Sequence, residues 1–201
     1  PLSKDFAAAI ERATTSTGTL LIADEVQCGL GRTGYPFHFQ SIGSGIPIGA
    51  ALVGEHVAAQ IFAGDHGTTY GGNLLSTRAA LYVLDELDTL APHIKAMGAR
   101  FEQKLLDLQR KHAVVTAVRG AGLMRGLELA VDAAPVVQAG LQKRLIVNRT
   151  AERVVRMLPP LVITPAEIDE GVAILDGALA SVATDGADST AAVSAGKEVK
   201  A

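Results

Sequence analysis

Asp24 and Glu25 close an apolar run, Leu20-Leu21-Ile22-Ala23. A carboxylate at the carboxyl end of a buried strand stands where open α/β sheets bind ligands. There it can hold a cationic ring nitrogen through a charge-assisted hydrogen bond. Gln27, two residues past the acid pair, could donate to a ring oxygen. The same Asp24 side chain could instead cap a turn. A second cluster, His66-Gly67-Thr68-Thr69-Tyr70-Gly71-Gly72-Asn73, sets hydroxyls and glycines before a predicted helix. Such groups suit an oxyanion such as phosphate, although a helix-entry loop has the same composition. No Gly-Lys-Ser/Thr follows, which excludes a P-loop. Third, Arg156 lies among Val154, Val155, Met157 and Leu158. An arginine in apolar surroundings takes a carboxylate partner, from a ligand or from the protein itself.

Gly29-Leu30-Gly31-Arg32-Thr33-Gly34 matches the dinucleotide fingerprint G-x-G-x-x-G. The fingerprint works where glycines leave a strand and open a helix. Here Asp24 and Glu25 intervene and would repel phosphates, and Tyr35-Pro36-Phe37-His38-Phe39 has no helical period. A nucleotide-binding oxidoreductase is therefore disfavoured. The five histidines show no metal-ligand spacing, so no metal site is expected. Cys28 reads as a small residue in a turn.

The elements that must position these residues alternate. Ser3 to Thr17 reads as a helix capped by Ser3 and stopped by Gly18. Leu20 to Asp24 and Ile46 to Val53 read as strands of a parallel sheet covered on both faces. A short helix is expected over Glu55 to Ala63 and a long one over Leu74 to Leu90, capped by Asn73. Pro92 is expected to begin a further helix to His112. Strands are expected over Ala113–Val118, Leu123–Leu129, Leu145–Val147 and Val154–Leu158, with a helix from Pro135 to Arg144 between them. Thr164-Pro165-Ala166-Glu167 is a capping box that starts a helix to Ala180. The pattern is α/β over residues 1–91 and α+β over 92–180, with a disordered tail at 181–201.

Of 201 residues, 48% are hydrophobic and 19% charged, an ordinary globular composition. A net charge of −3 leaves no basic excess for nucleic acid. No run is long enough for a transmembrane span and no signal peptide is evident, so no membrane partner is expected. A single cysteine excludes a disulfide framework and fits a reducing, cytoplasmic compartment.

Taken together, these motifs resemble the class III (ornithine-type) pyridoxal-phosphate aminotransferases. Leu20 to Gly34 is similar to the family's central signature and His66 to Asn73 to its phosphate-contact loop. Arg119-Gly-Ala-Gly-Leu-Met-Arg-Gly126 and Arg156-Met-Leu-Pro-Pro-Leu161 are similar to its small-domain motifs. The resemblance runs in order over residues 1 to 180 and is strongest to the acetylornithine branch. It implies the C-terminal part of a PLP-dependent fold type I transferase: a partial large-domain parallel sheet plus an α+β small domain. It further implies pyridoxal 5'-phosphate as cofactor and amino transfer from an acyl-ornithine or similar ω-amine to 2-oxoglutarate, in arginine biosynthesis. Asp24 would then hold the pyridinium N–H, Gln27 the phenolic oxygen and Thr69 a phosphate, usually that of the other subunit of a homodimer. Arg156 would receive a substrate carboxylate.

Two departures stand beside the match. Pro1 aligns near the middle of the family's chain. The family also places a strand and its Schiff-base lysine after the aromatic loop, whereas here Phe39-Gln40-Ser41 runs directly into Ile42-Gly43-Ser44. No lysine stands between Ser41 and Gly43; those present are Lys4, Lys95, Lys104, Lys111, Lys143, Lys197 and Lys200. The chain as written is expected to be inactive, with no covalently held cofactor. The alternative is a non-catalytic relic, or a subunit that pairs with a complete aminotransferase.

Overall fold

The structure is a computed structural model that describes residues 2–34 and 48–195, with side chains described through Val182. The aromatic loop after Gly34, the Ser41–Gly43 junction and the first residues of the expected Ile46–Val53 strand lie outside the described residues. The elements are α1 (Lys4–Thr17), α2 (Glu55–Ala58), α3 (Leu74–Lys111), β1 (Val115–Ala121), β2 (Met124–Leu129), α4 (Ala134–Gln142), β3 (Asn148–Thr150), β4 (Val154–Met157) and α5 (Pro165–Ala195). They divide into two compact units, residues 1–92 and 93–201.

In the first unit α1 forms as its caps direct. Ser3 Oγ accepts the Phe6 N–H at 3.2 Å, and Gly18 takes the left-handed conformation at φ 67°. The strand expected at Leu20–Asp24 is not formed. The segment is extended but has no ladder partner among the described residues, and Ile22 is 81% exposed. The same holds for residues 48–53. A strand exists only where a neighbour accepts and donates along its edge. These apolar runs therefore have the composition of a buried sheet but no pairing strand among the described residues. The helix expected over Glu55–Ala63 is a single turn, α2, and none of its residues is buried.

The break expected at Pro92 is also absent: α3 runs through it as one helix. Proline removes one backbone hydrogen bond and crowds the preceding turn, at a cost of about 3 kcal/mol. Downstream of it Ile94, Phe101, Leu105 and Leu108 are all buried, which offsets that local penalty.

The second unit is a four-stranded antiparallel sheet, in the order β1-β2-β4-β3, with helices against one face. Leu127, Leu129, Val155 and Met157 alternate along β2 and β4 and are buried, as are Ile168, Val172, Leu175 and Leu179 of α5. Polar contacts join α3 and the residue after it to α5: Arg100 to Asp169 at 2.5 Å, Lys104 to Asp169 at 3.1 Å, and His112 to Asp176 at 2.5 Å. Asp169 and Asp176 are two helical turns apart on one face. The β1–β2 hairpin is held from inside by Arg125, whose side chain is 5% exposed. Its guanidinium donates to the Gly122 carbonyl at 2.9 Å, the Gly120 carbonyl at 3.2 Å and Glu102 at 2.8 Å. Gly120, at φ 117°, must be glycine, because a Cβ there would meet the Met124 carbonyl oxygen at 2.0 Å.

Two further boundaries differ from expectation. The strand expected at Leu145–Val147 forms three residues later, as β3, where register with β4 is available. The capping box at Thr164 forms as expected, with Thr164 N–H donating to Glu167 Oε2 at 2.8 Å and Glu167 N–H to Thr164 Oγ1 at 3.3 Å. Yet α5 is described to Ala195, beyond the expected end at Ala180, and residues 196–201 of the expected tail lie outside the described residues. Its Ala-rich continuation lacks an apolar period but keeps helix propensity.

Two predictions follow from this division. Hydrogen exchange is expected to be slow over Val115–Leu129 and Ile168–Leu179 and fast over 20–34 and 48–53; equal protection of the two regions would contradict it. The second concerns Asp169, whose carboxyl is held below its usual range by Lys104 and then Arg100. A depressed carboxylate stabilises the fold fully above the unfolded value, about 3.9, and less as pH falls through the folded one. Asp169→Asn should lower the melting temperature at pH 7 and converge with the parent near pH 2 (thermal melts at both pH values decide). A difference that persists in acid would assign the loss to packing.

Candidate functional site

Asp24 stands at the end of the extended run and turns the chain. Its Oδ1 accepts the Val26 N–H at 3.1 Å, an Asx-type turn. The turn-capping reading of Asp24 is thus the one its visible hydrogen bond expresses. A carboxylate has two oxygens and spare lone pairs, so capping does not exhaust it. The chain continues in tight turns: Gly29 N–H donates to the Glu25 carbonyl at 2.9 Å and Gly34 N–H to the Gly31 carbonyl at 2.8 Å. Cys28 Sγ donates to Glu25 Oε2 at 3.0 Å. Gly31 and Gly34 have φ of 73° and 88°, so these glycines serve the turn backbone. Gln27 is exposed on the same turn as Asp24. Arg32, five residues further on, is half-buried, and burial lowers its pKa.

The second cluster forms an open cleft of about 600 Å³ before α3. Ile48 and Gly49 line it together with His66, Thr68, Tyr70, Gly71, Gly72, Asn73 and Ser76. Asn73 caps α3, its Oδ1 accepting from Ser76 N–H at 3.1 Å and Ser76 Oγ at 3.3 Å. Gly71 packs against Thr68: a Cβ there would meet Thr68 Cγ2 at 2.1 Å. Thr69 is exposed and does not line this cleft; its neighbour Thr68 does. Sequence reasoning singled out neither Ser76 nor the approach of Ile48-Gly49. The first was findable, since a residue three past an Asn cap meets that cap. The second needed the tertiary path of the chain.

Arg156 belongs to the second unit, in β4, with Gly126 of β2 and Asn148 of β3 as register partners. It is half-buried, and its neighbours Val155 and Met157 point to the buried face. Asp24, Gln27 and Thr69 lie in the first unit and Arg156 in the second. Among the described residues no group of three histidines, cysteines or carboxylates could hold a metal, and no helix is long and apolar enough to cross a membrane. The first unit contains one lysine, Lys4, the first residue of α1.

The chain is 39% identical over 186 residues to an acetylornithine aminotransferase of Aquifex aeolicus, covering 86% of this chain and 48% of that protein. It is 41% identical over 191 residues to a mitochondrial acetylornithine aminotransferase of Alnus glutinosa, covering 86% and 42%. The chain thus spans about half the length of the curated relatives it matches. Among solved structures it superposes with a TM-score of 0.80 on N-acetylornithine aminotransferase from Stenotrophomonas maltophilia K279a, at 27% identity, covering 92% of this chain and 53% of that one. An ornithine aminotransferase from Plasmodium yoelii matches with a TM-score of 0.78 at 27% identity. These neighbours have the type I fold of PLP-dependent transferases, of which this chain forms part. The Aminotransferase class-III family model matches residues 1–179, and the chain belongs to that family.

Proposed function

We propose that this chain is the C-terminal portion of an acetylornithine-type aminotransferase and is itself inactive in amino transfer. The observation that carries the second half is the lysine inventory. The family's chemistry uses pyridoxal phosphate held on a lysine, and the first unit, where Asp24, Gln27 and Thr69 lie, contains Lys4 alone. Lys95, Lys104, Lys111 and Lys143 all belong to the second unit, and Lys104 and Lys111 are paired with Asp169 and Asp176.

The residues present fit part of the cofactor. Asp24 offers an exposed carboxylate to a pyridinium N–H, Gln27 an amide donor from the same turn, and Thr69 a hydroxyl close to the N-terminus of α3. Arg156, on its strand, offers a guanidinium suited to bidentate binding of a carboxylate. They do not fit its covalent attachment or the proton transfer that a lysine amine performs, so no step of the reaction is assigned to this chain. The amino donor in the whole protein is an acyl-ornithine or a similar ω-amine and the acceptor is 2-oxoglutarate, in a cytoplasmic homodimer. The absent lysine equally favours a non-catalytic subunit that docks on a complete aminotransferase.

Borohydride reduction of the chain with pyridoxal phosphate, followed by peptide mapping, tests this reading. Weak labelling spread over exposed lysines, with no turnover of acetylornithine and 2-oxoglutarate, is expected. Stoichiometric labelling of one lysine, with turnover lost in Asp24→Ala, would overturn it.

A further inference from the structure

The β3–β4 ladder ends where Asn148 pairs with Arg156. Carried two residues further, its register would pair Val147 with Met157 and Ile146 with Leu158, yet residues 145–147 form no strand. The two continuations, 145–147 and 157–160, instead line a cleft of about 270 Å³. Phe101 of α3 and Ile168, Val172 and Leu175 of α5 line it as well. These helix residues and Met157 are buried, so the cleft lies on the core side of the sheet, opposite the face that Arg156 takes.

Of the lining residues Glu167 alone is charged, and it is exposed, so its carboxylate stands at the mouth. Its Oε2 accepts from Thr164 N–H and Thr164 Oγ1, each at 2.8 Å. Those bonds hold the carboxyl below its ordinary range, which keeps it ionised at neutral pH. Oε1 takes part in neither bond, and an ionised carboxylate accepts at both oxygens. Gly171 of α5 also lines the cleft. A helical glycine is unfavourable relative to alanine, and no clash requires it here: a Cβ would meet Leu145 Cδ1 at 3.6 Å, an ordinary contact. What the missing side chain provides is space.

We propose that this cleft binds a small aromatic amine, with its ring between the apolar walls and its ammonium on Glu167. A cavity of about 150 Å³ with aliphatic and aromatic walls holds benzene, so there is room here for a two-ring aromatic. The walls offer water no hydrogen bonds, and an apolar ring gains by displacing it. Apolar walls with one polar group that fixes orientation are the general form of a small-molecule site. The carboxylate favours a cation over a neutral ring and repels an acidic one. The site is independent of the carboxylate-receiving role given to Arg156.

Fluorescence titration of the 201-residue chain with tryptamine, indole and indole-3-acetate tests it; the chain has no tryptophan, so the ligand's emission is read directly. Tryptamine should bind up to about fivefold more tightly than indole, the range of an exposed ion pair, and indole-3-acetate more weakly than either. Salt should erode the advantage of tryptamine and leave indole unchanged. Glu167→Gln keeps a capping side chain and should level the three ligands. Gly171→Leu, which fills the cleft, should abolish binding, whereas Gly171→Ala should retain it; melting curves verify that each variant folds. In the parent chain, tryptamine should slow amide exchange over 145–147 and 168–175, a readout that needs no variant. No binding by the parent chain, binding that survives in folded Gly171→Leu, or slowed exchange only outside those segments would overturn the proposal. An unchanged order of the three ligands in Glu167→Gln would overturn the pairing of the ammonium with Glu167.

Discussion

Burial of one face of the β1-β2-β4-β3 sheet beneath helices decides which face each strand side chain of the second unit takes. Strand side chains alternate with a period of two, so committing Leu127, Leu129, Val155 and Met157 to the core sends Gly126, Glu128, Val154 and Arg156 to the other face. A slip of one residue would put Arg156 among leucines and Leu127 in water. The hairpin glycines and Arg125 keep that register. The buried guanidinium collects the Gly120 and Gly122 carbonyls and Glu102 in one place, so the turn cannot shift without leaving a buried charge unpaired.

The first unit obeys a different constraint. Its apolar run at Leu20–Ile22 has the composition of a strand buried on both faces, but among the described residues it meets no strand. Hydrophobic sequence proposes burial, and only a neighbouring edge can complete it. The relatives extend over about twice this chain. The turn after Asp24 nevertheless forms, because an Asx hydrogen bond and two positive-φ glycines are local. Chemical groups of the site are thus locally organised although the run that carries Asp24 meets no strand among the described residues.

Helix α3 shows how tertiary packing overrides a local signal. Proline at position 92 marks a start by propensity, and the contact units do divide beside it. The helix still runs on, since burial of Ile94, Phe101 and Leu105 outweighs the loss of one hydrogen bond.

The sequence alone determined what depends on residue type and short range: the caps at Ser3, Asn73 and Thr164, the hairpin around Gly120 and Gly122, the alternation in β2 and β4, and the family motifs that carry Asp24, Thr69 and Arg156. It also determined the absence of a lysine between Ser41 and Gly43, a matter of composition that no folding can alter. Tertiary structure decided what depends on a partner distant in the chain. Among the described residues it gave Leu20–Asp24 no ladder partner, moved β3 into register with β4, and brought Ile48 and Gly49 to the loop of His66 and Thr68. It also set Arg119 and Arg156 on one face with a glycine between them. Propensity and capping act through neighbouring residues, whereas pairing and register are set by which strand lies alongside, and a one-dimensional pattern does not encode that choice.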